Sequence, residues 1–353
     1  MTDRTPRFSA SALRDFATSL MLASGFEKEK AEVTARHLVD ADMMGHDTHG
    51  LNLLVAYVDH AASGGMTLTG DVEVVADRPA AITWDGRNLP GVWVTDKAVD
   101  TAIARARIYG QASIAIRRSH HIACLQTYLP KATEQGMMVT ILSSDPHVAT
   151  VAPFGGRRPL YTPDPLACGI PTDGDPILVD ISASITTNGM SGRLAAEGKR
   201  LHFPAYLDAE GNLTDDPAVI EADPPGSILP VGGLEYGHKG YGLALMIEAA
   251  TQGLSGFGRS AQAKGWGASV FVQVTDPAAF GGLDAFARET GWLARACREN
   301  PPRPGVDAVR LPGERALMRM REAREHGVPL FPGIMDRLTN KARSLDIAPP
   351  EPC

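Results

Sequence analysis

The sequence predicts a mixed α/β fold of the α+β kind, with helical ends and a strand-rich middle. Apolar residues recur at helical spacing between Leu13 and Val58, and from Val72 onward short β-branched runs separated by turn residues take over. No Gly-x-Gly-x-x-Gly opens a helix after a strand, so a Rossmann nucleotide-binding domain is not supported. The 353 residues are enough for a large core divided into two or three lobes.

Three helices are predicted at the N-terminal end. The first is amphipathic and stops at Gly25, and the second occupies residues 27–44 and stops at a glycine. The third has Asp47 or Thr48 as its N-cap and ends at Gly64-Gly65. Together they indicate an N-terminal helical lobe.

Short strands alternate with helices through the middle of the chain. Strand-like runs occur at residues 72–75, 81–84, 113–116, 137–142, 166–170, 177–180 and 270–274. Helices are predicted from a cap at Thr95 to Tyr109, and after His121 to Gln135, where Pro130 bends or shortens the helix. Residues 188–226 are polar and rich in turn signals, which predicts surface loops.

A glycine-rich turn with a lysine precedes another predicted helix, whose apolar face includes Met246 and Leu254. In this turn, residues 232–240, free backbone N–H groups at the helix N-terminus can bind phosphate or carboxylate. It is not a P-loop, because Gly240 stands where a Ser or Thr must bind Mg²⁺. Three helices follow, at 283–299, after 311–315 and from 332, and the Pro-rich tail from Ala348 is expected to fray.

Composition narrows the classes of partner. The net charge of -7 and the pI near 5.8 argue against nucleic acid and leave small molecules as the expected partners. Separated histidines together with the glycine-lysine turn suit acid/base chemistry on an anionic one. No apolar run approaches the roughly 18 residues of a membrane span, and residues 1–6 lack a hydrophobic signal core. Four scattered cysteines without a Cys-x-x-Cys pair indicate reduced thiols and no zinc framework. We therefore expect a cytoplasmic protein without a membrane or nucleic-acid partner.

The stretch from Asp42 to Tyr57 contains the first candidate site. His49, Leu53 and Tyr57 recur every four residues, so an imidazole and a phenol would share one face near the positive end of a helix. In an arbitrary His-Asp-Thr-His string, turn and capping roles for the histidines are the commoner explanation. A metal site that uses His46, Asp47, His49 and the His120-His121 pair also stays open, because imidazole and carboxylate bind zinc or iron.

Six motifs occur in an order that resembles one family, the non-Rossmann malate/lactate dehydrogenases, which include sulfolactate and ureidoglycolate dehydrogenases and the piperideine-2-carboxylate reductases. The motifs are Thr48-His49-Gly50, Ser119-His120-His121, Ser143-Ser144-Asp145-Pro146 with the 151–156 loop, Asp180-Ile181-Ser182, His238-Lys239-Gly240 and Leu311-Pro312-Gly313-Glu314-Arg315. The resemblance extends from about residue 8 to residue 340. It implies a largely antiparallel sheet core, a helical lobe made from both chain ends, and a homodimer with shared clefts.

The resemblance also implies the chemistry and the residues that carry it. The activity would be hydride transfer between NAD or NADP and a 2-oxo/2-hydroxy acid or a cyclic 2-imino acid, with no metal. His49 and His121 match the proton donor or acceptor, and Thr48 replaces the usual serine beside the first. Predicted substrate-binding residues are Tyr57, Arg118, Ser119 and His120, and predicted cofactor-binding residues are Ser144, Asp180, Ile181, Ser182, His238, Lys239, Gly313, Glu314 and Arg315.

Some positions depart from the family pattern. Leu53 stands where an arginine usually grips the substrate carboxylate. Arg117 or Arg118 is expected to take over that role, and Arg118, which replaces a common asparagine, is our choice. Ala123 replaces a common glycine, and Met190 replaces an aspartate of the cyclic-imine reductases. The substrate is therefore open between 2-oxo acids and cyclic imines.

Two other functions stay open, a metal-dependent lyase or hydrolase that uses His46, His49 and His121, and a non-catalytic dinucleotide or metabolite binder. The predicted division of the chain is a helical lobe (1–70) that packs with 312–345, a cofactor-binding and dimerisation core (71–310), C-terminal helices (311–347) and a tail (348–353).

Overall fold

A computed structural model describes residues 6–353 of the chain. The predicted lack of a signal core falls on residues 1–6, of which 1–5 lie outside this range. The helices are α1 (Ala10–Ala23), α2 (Lys28–Met44), α3 (Leu54–Ala62), α4 (Gly91–Tyr109), α5 (Pro130–Thr133), α6 (Asn188–Ala196), α7 (Gly233–Tyr236), α8 (His238–Glu248), α9 (Leu283–Glu299), α10 (Glu314–His326) and α11 (Ile334–Arg343).

The strands are β1 (Arg7–Phe8), β2 (Glu73–Arg78), β3 (Ala81–Asp85), β4 (Gln111–Ser119), β5 (Met138–Ser144), β6 (Pro165–Ile170), β7 (Ile177–Ser182), β8 (Tyr206–Leu207), β9 (Leu213–Thr214), β10 (Ser227–Ile228), β11 (Ala268–Thr275) and β12 (Val328–Pro329). Seven of them form one sheet in the order β2-β3-β4-β11-β5-β6-β7. Only β3 and β4 in that sheet run parallel, so the predicted mixed fold with a largely antiparallel core is confirmed.

The two ends of the described chain share one hydrophobic core. β1 pairs with β12 through Phe8 and Val328, and α10 packs on α2. Leu20 near the N-terminus and Leu338 near the C-terminus are fully buried in the same cluster. At the end of the tail the Cys353 N–H donates to the Arg7 carbonyl at 2.9 Å, and the predicted fraying stays a prediction. The proposed division into lobes stays a prediction.

Several boundaries differ from the predicted ones. α4 begins four residues before Thr95, which is buried inside the helix and does not cap it. The predicted helix to Gln135 is reduced to a 3₁₀ turn, Leu125–Tyr128, and the short α5 that starts at Pro130. Residues 188–226 are not only surface loops, since they begin with α6 and contain β8 and β9, which form a small three-stranded sheet with β10 just after them. Proline chemistry explains the second difference, because Pro130 has no N–H for the preceding turn.

The glycine-lysine segment is helical where a turn was predicted. Gly233 begins α7, and Lys239 already belongs to the first turn of α8, so residues 232–240 are not a free loop before a helix. Among residues 6–353, none of the helices combines the length and the apolar character that crossing a membrane requires.

Candidate active site

The turn between α2 and α3 presents the first histidines. α2 ends at Gly45, whose φ of 87° lies in the left-handed region that favours glycine. The buried Asp42 carboxyl accepts the Leu51 N–H at 2.8 Å and so closes the turn. The predicted helix start is wrong, because Thr48 and His49 lie in this turn, followed by a 3₁₀ turn from Leu51 and then by α3.

The end of β4 presents the second pair of histidines in different directions. His120 is fully buried, and its Nε2 lies 2.9 Å from Nδ1 of His60. His121 is only partly buried, and its ring stacks against that of His49 with 6.0 Å between centroids. The structure therefore brings His49 and His121 together and keeps His120 behind them.

A cavity of about 420 Å³ lies in front of these two rings. Seven of the predicted site residues line it, namely Thr48, His49, His121, Ser144, Asp180, Ile181 and Ser182. The other wall residues are mainly apolar or small, and they include Leu53, Ile122, Leu125, Trp266 and Gly189. This combination of one apolar wall and a few polar groups is typical of small-molecule sites.

Tyr57 fixes the position of the His121 ring. The Tyr57 hydroxyl lies 2.7 Å from Nδ1 of His121, and the Ala123 N–H donates to the same atom at 3.3 Å. Since Nδ1 accepts a hydrogen bond from a backbone N–H, the neutral ring carries its proton on Nε2. Burial, followed by the neighbouring His49 and His120 rings, holds the pKa of His121 well below its ordinary value of 6.5.

His49 is paired with the hydroxyl of the residue before it. Thr48 Oγ1 lies 2.8 Å from Nδ1 of His49. Burial, helped by the positive potential of His46 and Arg193, lowers the pKa of His49 to about 4. Both imidazoles are therefore neutral at pH 7, and a carboxylate placed beside them would favour protonation of one of them.

Asp180 also lines the cavity, on β7. Its Oδ2 accepts the Gln126 N–H at 2.9 Å and the Cys124 thiol at 3.7 Å. Burial raises its pKa above the ordinary value. Ile181 is half exposed next to it and offers an apolar surface to a bound ring.

Four predicted substrate-binding residues lie outside the cavity wall. The Tyr57 hydroxyl is hydrogen-bonded to His121, and the His120 ring is hydrogen-bonded to His60. Ser119 is buried, and its hydroxyl donates to the His120 carbonyl at 2.9 Å. The Arg118 guanidinium pairs with Asp85 at 2.5 Å and does not line the cavity, which argues against its predicted role as the carboxylate clamp.

Five predicted cofactor-binding residues also lie outside the cavity wall. Gly313 packs against Leu178 on β7, where an added Cβ would lie 2.6 Å from the leucine side chain. Glu314 accepts the Leu311 N–H at 3.0 Å, and Arg315 is exposed. His238 and Lys239 are exposed on α8, with Nζ of Lys239 5.2 Å from the Tyr236 ring. Their roles stay predictions.

The sequence interpretation missed Trp266 and His60. The Trp266 ring lies 5.0 Å from that of His121 and 5.4 Å from that of Tyr57, between centroids. His60 follows Tyr57 by three residues on α3, so helical spacing could have placed it near the same histidines. No local pattern marks Trp266, because it reaches the site from the loop before β11.

The metal cluster considered from the sequence is not assembled as expected. Asp47 pairs with Arg193 at 2.9 Å, and His46 bonds to the Gln126 side chain at 2.8 Å. Within the described part of the chain, the group with metal-binding spacing joins His46 to Cys124 and Asp180 and does not include His49 or His121.

The chain is similar to known dehydrogenases over almost its whole length. The family model for malate/L-lactate dehydrogenase matches residues 8–339. The L-lactate dehydrogenase of Cupriavidus necator is 30% identical over 351 residues, which are 98% of this chain and 99% of that protein. The NADP(+) (2R)-3-sulfolactate dehydrogenase of Chromohalobacter salexigens is 32% identical over 331 residues, or 91% of this chain and 94% of that protein.

Solved structures agree with these sequence matches. The Δ1-piperideine-2-carboxylate reductase from Pseudomonas syringae superimposes with a TM-score of 0.84 at 28% identity. The match covers 96% of this chain and all of that one.

The lowered pKa of His49 predicts a specific dependence of stability on pH. Because the folded protein resists protonation at this ring while the unfolded chain does not, the free energy of unfolding falls as the pH drops below 6.5. We expect His49→Gln to remove up to about 3 kcal/mol of this fall between pH 6.5 and pH 4. Urea unfolding at several pH values measures it, with the exposed His202→Gln as control. An unchanged slope in His49→Gln would contradict the assignment.

Proposed function

This chain belongs to the malate/L-lactate dehydrogenase family, and we propose that it transfers a hydride between NAD or NADP and a 2-oxo/2-hydroxy acid or a cyclic 2-imino acid. Family membership makes it a dehydrogenase or reductase that uses a nicotinamide cofactor. The observation that supports the substrate class is the pair of neutral imidazoles, His49 and His121, in the wall of a cavity that Asp180 also lines. The metal-dependent lyase or hydrolase is not favoured.

The cavity fits a nicotinamide riboside. Ile122, Ile181 and Trp266 offer an apolar surface for the ring, while the Asp180 carboxyl and the Ser182 hydroxyl can bind polar substituents. When bound, the nicotinamide supplies or accepts the hydride. The residues of the chain then have to hold the substrate, exclude water and move one proton.

We assign the proton transfer to the His49–His121 pair. The neutral His121 ring carries its proton on Nε2. At the other nitrogen, Nδ1, the Tyr57 hydroxyl can donate a hydrogen bond to the neutral ring or accept one from the protonated ring. Once protonated at Nδ1, the ring would release its Nε2 proton to the substrate and stay neutral, with the Nδ1 proton held by the Tyr57 hydroxyl. A lowered pKa in the free protein also makes the protonated imidazole a strong acid toward a developing alkoxide or amine.

The direct test replaces each histidine separately. His49→Gln and His121→Gln should each slow the chemical step by roughly 10²–10⁴-fold, the usual cost of losing a general acid, while cofactor binding persists. Stopped-flow measurement of a single turnover separates that step from product release. Exposed His202→Gln is the matched control and should keep the wild-type rate. Wild-type rates in both active-site variants would disprove the assignment.

We further propose that the substrate carries one anionic group. Leu53 contributes an apolar side chain to the cavity, and the wall residues within 6–353 include no lysine or arginine. A second carboxylate buried here would lose its hydration without gaining a cation, which is costly. The single carboxylate can be held by neutral donors, the Thr48 hydroxyl and the N–H groups of Asn188 and Gly189, which precede the first hydrogen bonds within α6.

A matched pair of substrates tests this. 4-Methyl-2-oxopentanoate and oxaloacetate carry an isopropyl group and a carboxylate of similar shape at the same position. We expect kcat/KM to favour the first by more than about tenfold, or roughly 1.4 kcal/mol. Leu53→Arg should narrow or reverse the preference, whereas Leu53→Met should keep it. Preference of the wild-type enzyme for oxaloacetate would refute the proposal.

We also propose a homodimer. Met246 and Leu254 belong to the apolar face of the predicted helix, yet their side chains are 52% and 62% exposed in the single chain. Leu245 beside them is half exposed as well. Covering these side chains with a second copy would remove apolar surface from water. Light scattering should give twice 37.5 kDa, and Met246→Glu should shift the mass toward the monomer. A fully active monomer would exclude the dimer.

A further inference from the structure

A second group of side chains lies in the wall of the same cavity and is not used by the proposed proton transfer. His46, Cys124 and Asp180 each contribute one possible ligand atom, and the three atoms lie within 4.8 Å of one another. They come from the turn after α2, the loop after β4, and β7, so three separate parts of the fold bring them together. All three line the cavity.

The side chain of Gln126 fixes the His46 ring. The amide nitrogen of Gln126 donates to the Leu178 carbonyl at 2.8 Å, so the amide oxygen faces Nε2 of His46, also at 2.8 Å. That oxygen can only accept, and Nε2 of His46 therefore carries the proton. Nδ1 keeps its lone pair. A ring nitrogen with a free lone pair, oriented through a hydrogen bond at the other nitrogen, is the arrangement that metal-binding histidines use.

The donor set lacks a positive charge. Asp180 receives hydrogen bonds from the Gln126 N–H and the Cys124 thiol, and neither donor is cationic. One carboxylate oxygen of Asp180 is left free by these two bonds, which both end at Oδ2. Imidazole, thiolate and carboxylate together are characteristic ligands of Zn²⁺, with lone pairs available on all three residues.

We propose that His46, Cys124 and Asp180 form a binding site for a soft divalent cation such as Zn²⁺. Binding replaces the thiol proton of Cys124, which is released to solvent, and leaves the oxidation state of every group unchanged. Three protein ligands leave a fourth position that opens toward the cavity. The redox chemistry does not require this cation.

The consequence of occupancy rests on the proposed function. Because Asp180 is also assigned to the dinucleotide, cation and cofactor compete for the same carboxyl. The cation is therefore an inhibitor of the enzyme and not a participant in hydride transfer.

Cobalt titration of the metal-free full-length protein tests the site without any activity measurement. One equivalent of Co²⁺ should produce a thiolate-to-cobalt charge-transfer band and the strong visible bands of four-coordinate cobalt, and Zn²⁺ should displace both. Cys124→Ser should abolish the charge-transfer band, and His46→Gln should weaken binding by more than the 10–100-fold typical of losing a residue that only orients a metal ligand. Cys168→Ser, which removes a half-buried thiol outside the group, should behave like the wild type.

If a variant does not fold, X-ray absorption spectroscopy of the zinc-loaded wild-type protein identifies the zinc ligands without any substitution. One sulfur among otherwise nitrogen and oxygen ligands supports the site. No bound zinc, zinc without sulfur, or a cobalt spectrum that survives in folded Cys124→Ser would overturn it.

Titration of NADH and NADPH by fluorescence, with and without Zn²⁺, then tests the consequence. At least a tenfold weakening of dinucleotide binding is expected in the wild type, and none in Cys124→Ser. Stoichiometric cobalt binding through Cys124 without any such weakening would keep the metal site and refute the shared role of Asp180. Absence of dinucleotide binding under all conditions would instead refute the proposed function.

Discussion

The hydrogen bond between the Leu51 N–H and the buried Asp42 carboxyl holds the turn on which the site depends. Burial raises the pKa of Asp42 to about 8, so this group stays largely uncharged near neutral pH and can remain inside the lobe. At Gly50 an added Cβ would lie 2.4 Å from the same carboxyl, so only glycine fits there. The contacts of Asp42 with Leu51 and Gly50 therefore fix both ends of the short stretch that carries His46, Thr48 and His49.

The end of β4 meets this turn from the other side. β4 pairs with β11 and β3 inside the sheet, which makes the position of His121 a property of the rigid core. Tyr57 on α3 then connects helix and strand through its bond to His121. Burial of both rings keeps them uncharged, and a low local dielectric strengthens their interaction with a charged substrate. Helical lobe and sheet thus each contribute one imidazole to the same cavity.

Much of this arrangement could be predicted from the sequence because local patterns determine it. The stops at Gly25 and Gly45 follow from glycine chemistry, and the strand at 113–116 follows from its β-branched residues. The helix start at Asp47 was wrong because Asp42, five residues earlier, binds Leu51 and delays it. Arg118 was chosen because it replaces an asparagine that the family commonly has near the site, but Asp85 on the parallel neighbour β3 holds it elsewhere. Contacts of this kind are formed by the tertiary fold and have no local signal.

The central claim is that His121 completes a hydride transfer that takes place in this cavity. The most direct test uses cofactor that is deuterated at the reactive carbon of the nicotinamide. The enzyme makes one turnover with 4-methyl-2-oxopentanoate or piperideine-2-carboxylate, and mass spectrometry measures the deuterium in the product. One deuterium at C2 of the product is expected from the wild-type enzyme, and almost none from His121→Gln on the same time scale, with the cofactor still bound. Deuterium recovered in solvent, or equal labelling by the His121→Gln enzyme at the wild-type rate, would contradict it.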